Sequence, residues 1–76
     1  MRLMEHDKAT IQIFLTDQEA AILRLIAAGQ STNKIANTLG LKSSTVMWYR
    51  KRLHDKFDVH NMAELVHRAG ELHLID

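Results

Sequence analysis

The sequence predicts an all-α fold of four short helices, and three observations carry that prediction. Residues that cap helix starts, Thr16, Ser31 and Asn61, each stand just before an apolar segment. Within those segments the apolar residues return every three or four positions, the period of a helix buried on one side. Proline is absent, and the three glycines, at positions 29, 40 and 70, lie close to where such helices should stop. Seventy-six residues supply material for a single core. A hydrophobic content of 46% with 25% charged residues is the composition of a globular chain rather than a disordered one.

Residues 1–14 read as a tail or linker and 15–76 as the domain. Ile11, Ile13 and Leu15 alternate with Gln12 and Phe14, which predicts a short extended segment leading into the first helix. Thr16-Asp17-Gln18-Glu19 is a capping box: the Thr hydroxyl accepts from the amide three residues on, and Glu19 reaches back. Asp17 and Glu19 also suit the positive end of a helix dipole. Ile22, Leu23 and Ile26 continue this helix over about 17–28, and Gly29 ends it in the left-handed conformation. Ser31 caps a second helix that carries Ile35, Ala36 and Leu39 on one face, with Gly40 after it. Ser43 or Ser44 caps a third helix running to about Phe57, burying Val46, Leu53 and Phe57 with Tyr49 at the margin. Asn61 and Glu64 open a fourth, over about 61–73, with Leu65, Val66, Ala69 and Leu72 on one face.

One spacing within this series is diagnostic. Ala36 is followed by Gly40 four residues later and by Val46 ten residues later. In a helix-turn-helix the alanine must be small because the second helix crosses over it, the glycine permits the positive φ of the turn, and the β-branched residue locks the two helices together. On a helical wheel of residues 43–57, Ser44, Met47, Trp48, Lys51 and Asp55 point away from the buried row, with Arg52 at the edge. A lysine can bond guanine O6 and N7, and methionine and the indole can meet a thymine methyl or a sugar, so Met47, Trp48 and Lys51 are candidate base contacts. Lys42, Ser44, Arg52 and Lys56 flank that row and suit phosphates. Other readings stand beside these: Trp48 packed under another part of the chain, Met47 as a tolerated surface residue, and Arg50-Lys51-Arg52 as a solvated face.

The charge distribution agrees with a phosphate partner. The net charge is only +1, but Lys42 to Lys56 holds five cations against the single acid Asp55, whereas Glu5 to Glu19 holds four acids against Lys8. Other function classes recede. With no cysteine there is no disulfide, thiolate nucleophile or cysteine-based zinc site. His54, His60, His67 and His73 are six or seven residues apart, not the i,i+4 pairing of a helical zinc site. No metal, no cofactor and no catalytic constellation is expected. No run approaches the roughly 20 apolar residues of a membrane span, and no signal-peptide pattern follows Arg2, so the expected location is cytoplasmic.

From Leu15 to Ala69 the chain resembles the LuxR/GerE-type helix-turn-helix family of bacterial transcription regulators. The resemblance rests on Leu15-Thr16, Glu19, Ile22-Leu23, Ile26, Gly29, Ser31, Lys34-Ile35-Ala36, Leu39, Leu41, Thr45-Val46, Lys56, Val59, Asn61, Glu64-Leu65-Val66 and Ala69, in order and without a gap. It implies a third helix entering the major groove and a fourth that mediates pairing. It places base contacts on Met47, Trp48 and Lys51, and backbone contacts on Thr45, Ser31 and Lys34. Pairing would fall on Ala63, Val66, His67 and Gly70, a flat strip of mostly small residues; the alternative is that Val66 packs on the first helix.

Three positions depart from the family pattern. Met47 replaces a lysine, which alters the preferred sequence. Lys42 replaces the usual capping serine, moving the cap to Ser43. Asp58 replaces a glycine at a left-handed position, at modest cost. The implied partners are double-stranded DNA, a second copy of the chain on that DNA, and RNA polymerase, with a nucleoid location. The chain is then either the output domain of a larger response regulator or a free-standing regulator. Two rivals remain: an adaptor that kept the fold but lost DNA binding, for which Met47 is the best clue, and a sigma-factor helix-turn-helix, which does not predict the fourth helix.

Overall fold

The computed structural model describes residues 13–75. Its elements are α1 (Asp17–Ala27), α2 (Thr32–Leu39), α3 (Ser43–Phe57) and α4 (Met62–Glu71), with no strand among the described residues. The extended segment expected from Ile11 falls partly outside the described residues. Ile13 to Thr16 have no regular structure. Ile13 and Leu15 pack against the core and Phe14 points outward; the alternation anchors the chain but has no neighbouring strand to pair with.

The capping box at α1 forms as read. The Thr16 hydroxyl accepts from the Glu19 amide at 3.1 Å, and Glu19 Oε1 accepts from the Thr16 amide at 2.9 Å. Gly29 (φ 85°) turns the chain after α1. Ser31 caps α2, accepting from the Lys34 amide at 3.2 Å. Gly40 (φ 68°) ends α2 in the left-handed region, which lets the Leu41 amide bond back to the Ala36 carbonyl at 2.9 Å.

The start of α3 departs from expectation. Neither Ser43 nor Ser44 is the cap; Lys42 is, in an extended conformation and with no side-chain capping bond. Its carbonyl already accepts from the Thr45 and Val46 amides, so the helix begins one residue earlier than a serine cap would allow. Ser43 donates its hydroxyl to Asn33 Oδ1 at 2.6 Å instead. Asp58 takes the left-handed conformation (φ 55°) that ends α3. At α4, Asn61 accepts from the Glu64 amide, while Glu64 Oε1 accepts from the amide of His60, one residue before the cap. Gly70 is not the terminator: it lies in the last helical turn, and His73 (φ 59°) takes the positive φ.

The core draws on all four helices: Ile22, Leu23 and Ile26 from α1, Ile35 and Ala36 from α2, Val46, Leu53 and Phe57 from α3, Leu65 and Ala69 from α4. Burying each of the larger side chains contributes roughly 1.5–3 kcal/mol. Val66 is half-buried at the core margin, and Leu72, expected on the same face, is exposed beyond the end of α4. The α2–α3 pair forms the helix-turn-helix, with Ala36 and Val46 buried together in the core as the spacing requires. α1 and α4 brace α3 from behind, so its far face looks outward.

Candidate nucleic-acid interface

α3 has two chemically distinct sides. Val46, Leu53 and Phe57 are buried, whereas Ser44, Met47, Trp48, Lys51 and Asp55 are exposed. Met47 is 62% and Trp48 57% exposed, so the indole is not packed into the core. The Trp48 ring meets the half-buried Tyr49 ring edge-on, with centroids 5.0 Å apart and planes at 83°. The Arg52 guanidinium lies over it, 5.4 Å from the centroid. Lys51 reaches only to 4.0 Å from Asp55, and both side chains are largely in water, so that pair holds the lysine weakly.

The other expected contact residues border this face. Ser31, Lys34, Lys42 and Ser44 are exposed and Thr45 is half-buried. Lys34 and Lys42 make no ion pair among the described residues. Because Lys42 supplies no side-chain acceptor, the first amides of α3 carry no side-chain cap.

Arg52 and Lys56, expected to face phosphates, are turned towards Glu19. Arg52 Nε donates to Glu19 Oε2 at 2.8 Å; Lys56 Nζ donates to Glu19 Oε1 at 2.7 Å and to the Phe14 carbonyl at 2.9 Å. The carboxylate is 1% exposed. Burial pushes its pKa up, but the bonds from Lys56, the Thr16 amide and Arg52 outweigh that and lower it to about 2. One carboxylate thus caps α1 and binds two cations of α3. Sequence reasoning assigned Glu19 only the cap. The available signal was its place on the same helical stripe as Ile22, Leu23 and Ile26, which points it inward.

Two further ties between α2 and α3 were also missed. Arg50 Nη1 donates to Thr32 Oγ1 at 2.6 Å, and Ser43 bonds Asn33 as described. His54 Nδ1 donates to the Arg50 carbonyl at 2.8 Å. The Arg50–Thr32 and Ser43–Asn33 bonds join α2 to α3 outside the core, whereas the His54–Arg50 bond lies within α3. Arg50 is therefore a latch rather than simply one member of a basic run.

On α4, Ala63, His67 and Gly70 are exposed and adjoin half-buried Val66. A Cβ placed on Gly70 would meet nothing, so that end of the strip is open. His67 Nε2 lies 3.5 Å from Glu71 Oε2, a pair that is ionic only when the ring is protonated.

Known proteins share this architecture. Residues 14–69 match the family described as bacterial regulatory proteins, luxR family. The transcriptional regulatory protein DesR of Bacillus subtilis is 40% identical over 57 residues, covering 75% of this chain and 29% of DesR. The response regulatory protein YgeK of Escherichia coli is 44% identical over 55 residues, covering 72% of this chain and 37% of YgeK. MctR, a transcriptional regulatory protein of Rhizobium johnstonii, is 44% identical over 55 residues, 26% of its length. The chain therefore spans between about a quarter and just over a third of these relatives. In fold it is similar to the LuxR-type receptor VqmA of Vibrio cholerae, with a TM-score of 0.80 at 23% identity over 100% of this chain and 33% of that one. The matched family is a class of DNA-binding regulator domains, not of enzymes. This chain belongs to the luxR family of bacterial regulatory proteins, as a LuxR-type transcription-regulator DNA-binding domain.

Proposed function

We propose that this domain reads double-stranded DNA in a sequence-specific way, with α3 in the major groove. Met47, Trp48 and Lys51 meet base edges; Ser31, Lys34, Lys42, Ser44 and Thr45 meet the phosphates on either side. The observation that carries this reading is the exposed row Met47–Trp48–Lys51 on a helix whose opposite side is fully buried. A small domain gains nothing for folding by holding a methionine and an indole side by side in water, so the row points to a partner surface. The start of α3, without a side-chain cap, beside Lys42 suits a phosphate at Ser44 and Thr45.

Pairing of two copies through Ala63, Val66, His67 and Gly70 of α4 completes the reading. A two-fold dimer sets two copies of α3 about one DNA turn apart and requires an inverted-repeat site. Contact with RNA polymerase and a place in the nucleoid belong to the same regulatory role. Selection from a random-duplex pool at about 100 mM salt tests it, since salt sets the non-specific background. Enrichment of an inverted repeat is the expected result. Absence of any binding would refute it and favour the adaptor reading, in which Met47 and Trp48 face a protein.

A further inference from the structure

We infer that Arg52 is a positioning residue for Trp48: it ties the exposed indole to the buried Glu19 carboxylate, so that α3 presents a fixed ring to DNA. This rests on the reading of α3 as the helix that meets base edges. An indole left 57% exposed on a helix surface would ordinarily move among several rotamers. Here the Tyr49 ring holds one side and the Arg52 guanidinium, one turn along, covers a face at 5.4 Å. The guanidinium is itself anchored, since its Nε donates to Glu19 Oε2 at 2.8 Å. Glu19 is held in turn by the Thr16 amide and by Lys56 on its other oxygen. The connection therefore runs from the α1 cap, through one carboxylate, to a recognition side chain.

A planar guanidinium can bond edge-on through Nε and stack through its face at the same time; a compact ammonium cannot do both. An indole ordered during folding does not have to be ordered on binding, and it selects bases by shape where a mobile ring would adapt to any of them. Arg52 thereby sets sequence preference without being a phosphate contact.

The test uses the 76-residue chain with Arg52→Ala and Arg52→Lys, each checked for native helicity by circular dichroism. Trp48 is the single tryptophan, so time-resolved anisotropy of its emission reports on this ring alone. Without DNA, the wild type is expected to depolarise with the tumbling of the whole domain, and both variants to add a fast local component on the ps–ns scale. On a duplex cloned from the enriched pool, base-pair changes that Trp48→Ala no longer discriminates should lose at least about fivefold of their discrimination in both variants. Affinity for an unrelated duplex should hold. Should Arg52→Ala unfold, Arg52→Lys carries the comparison. Identical anisotropy decays would overturn the inference. So would an Arg52→Lys variant that binds like the wild type while Arg52→Ala weakens every duplex alike, the behaviour of a phosphate contact. If the wild type enriches no duplex, the DNA-reading assignment fails, and the anisotropy comparison alone decides whether Arg52 holds the ring.

Discussion

Replacing Glu19 with glutamine asks how much one buried carboxylate contributes to joining α1 and α3. Its oxygens accept from the Thr16 amide at 2.9 Å, Lys56 at 2.7 Å and Arg52 at 2.8 Å. Burial raises the carboxyl's pKa, yet the Lys56, Thr16 and Arg52 bonds bring it down from 4.5 to about 2. Because the folded value is depressed, the stabilisation is complete above the unfolded value and is lost as pH falls from about 4.5 towards 2. A shift of that size is worth on the order of 3 kcal/mol, out of roughly 4–11 kcal/mol for a domain of this length.

Glutamine keeps the volume and one acceptor, but its amide N–H groups confront a cation on the other side. Arg52 and Lys56 are 48% and 26% exposed, so both can turn partly to water. The cost near neutral pH is therefore about 2–4 kcal/mol, below that of a fully enclosed pair. Urea unfolding followed by circular dichroism, for both proteins from neutral pH to about pH 2, measures it. The gap between them should be widest near neutrality and close over the acid range. A gap under about 0.5 kcal/mol at neutral pH, or one that stays constant down to pH 2, would refute the reasoning.

The remaining predictions follow from single residues. Gly40→Ala meets no steric obstacle but must hold φ 68°, so a loss of about 1–2 kcal/mol is expected, read as a fall of several degrees in Tm. Asp58→Gly should act in the opposite sense, raising stability by about 0.5–1 kcal/mol because the residue already sits at φ 55°; a lower Tm would show that the Asp58 side chain contributes more than its backbone costs. Lys51→Ala should weaken binding to the selected duplex by about 1–3 kcal/mol and relax one base position, measured by titration; an unchanged isotherm removes Lys51 from the base-reading set. Val66→Glu should impair pairing on DNA, seen by sedimentation, with native helicity kept. Loss of the circular dichroism signal would assign Val66 to the core instead.

The helices, their order and most of their ends were legible because they depend on contacts within one turn. The Thr16–Glu19 box, the Ser31 and Asn61 caps and the left-handed Gly40 and Asp58 each involve residues no more than four or five apart. The Ala36–Gly40–Val46 spacing added the one longer relation, since a crossing helix needs a small residue beneath it. Where locality failed, the reading failed with it. Ser43 looks like a cap until Asn33, ten positions back, takes its hydroxyl. Gly70 looks like a stop until α4 runs past it and His73 makes the turn.

At the candidate interface, the outward row Met47–Trp48–Lys51 follows from helical periodicity alone, and the sequence by itself determined which side chains α3 offers. It could not determine what Arg52 and Lys56 do, because as isolated residues they are indistinguishable from phosphate-facing cations. Their partner, Glu19, lies 33 and 37 positions away and carries an equally local explanation as a cap. Only the packing of α1 against α3 brings these groups together, and only in the water-poor space between the helices does a carboxylate compete for cations that would otherwise stay hydrated. Tertiary structure therefore decided which basic residues of α3 pair with the buried carboxylate and which stay in water without such a partner.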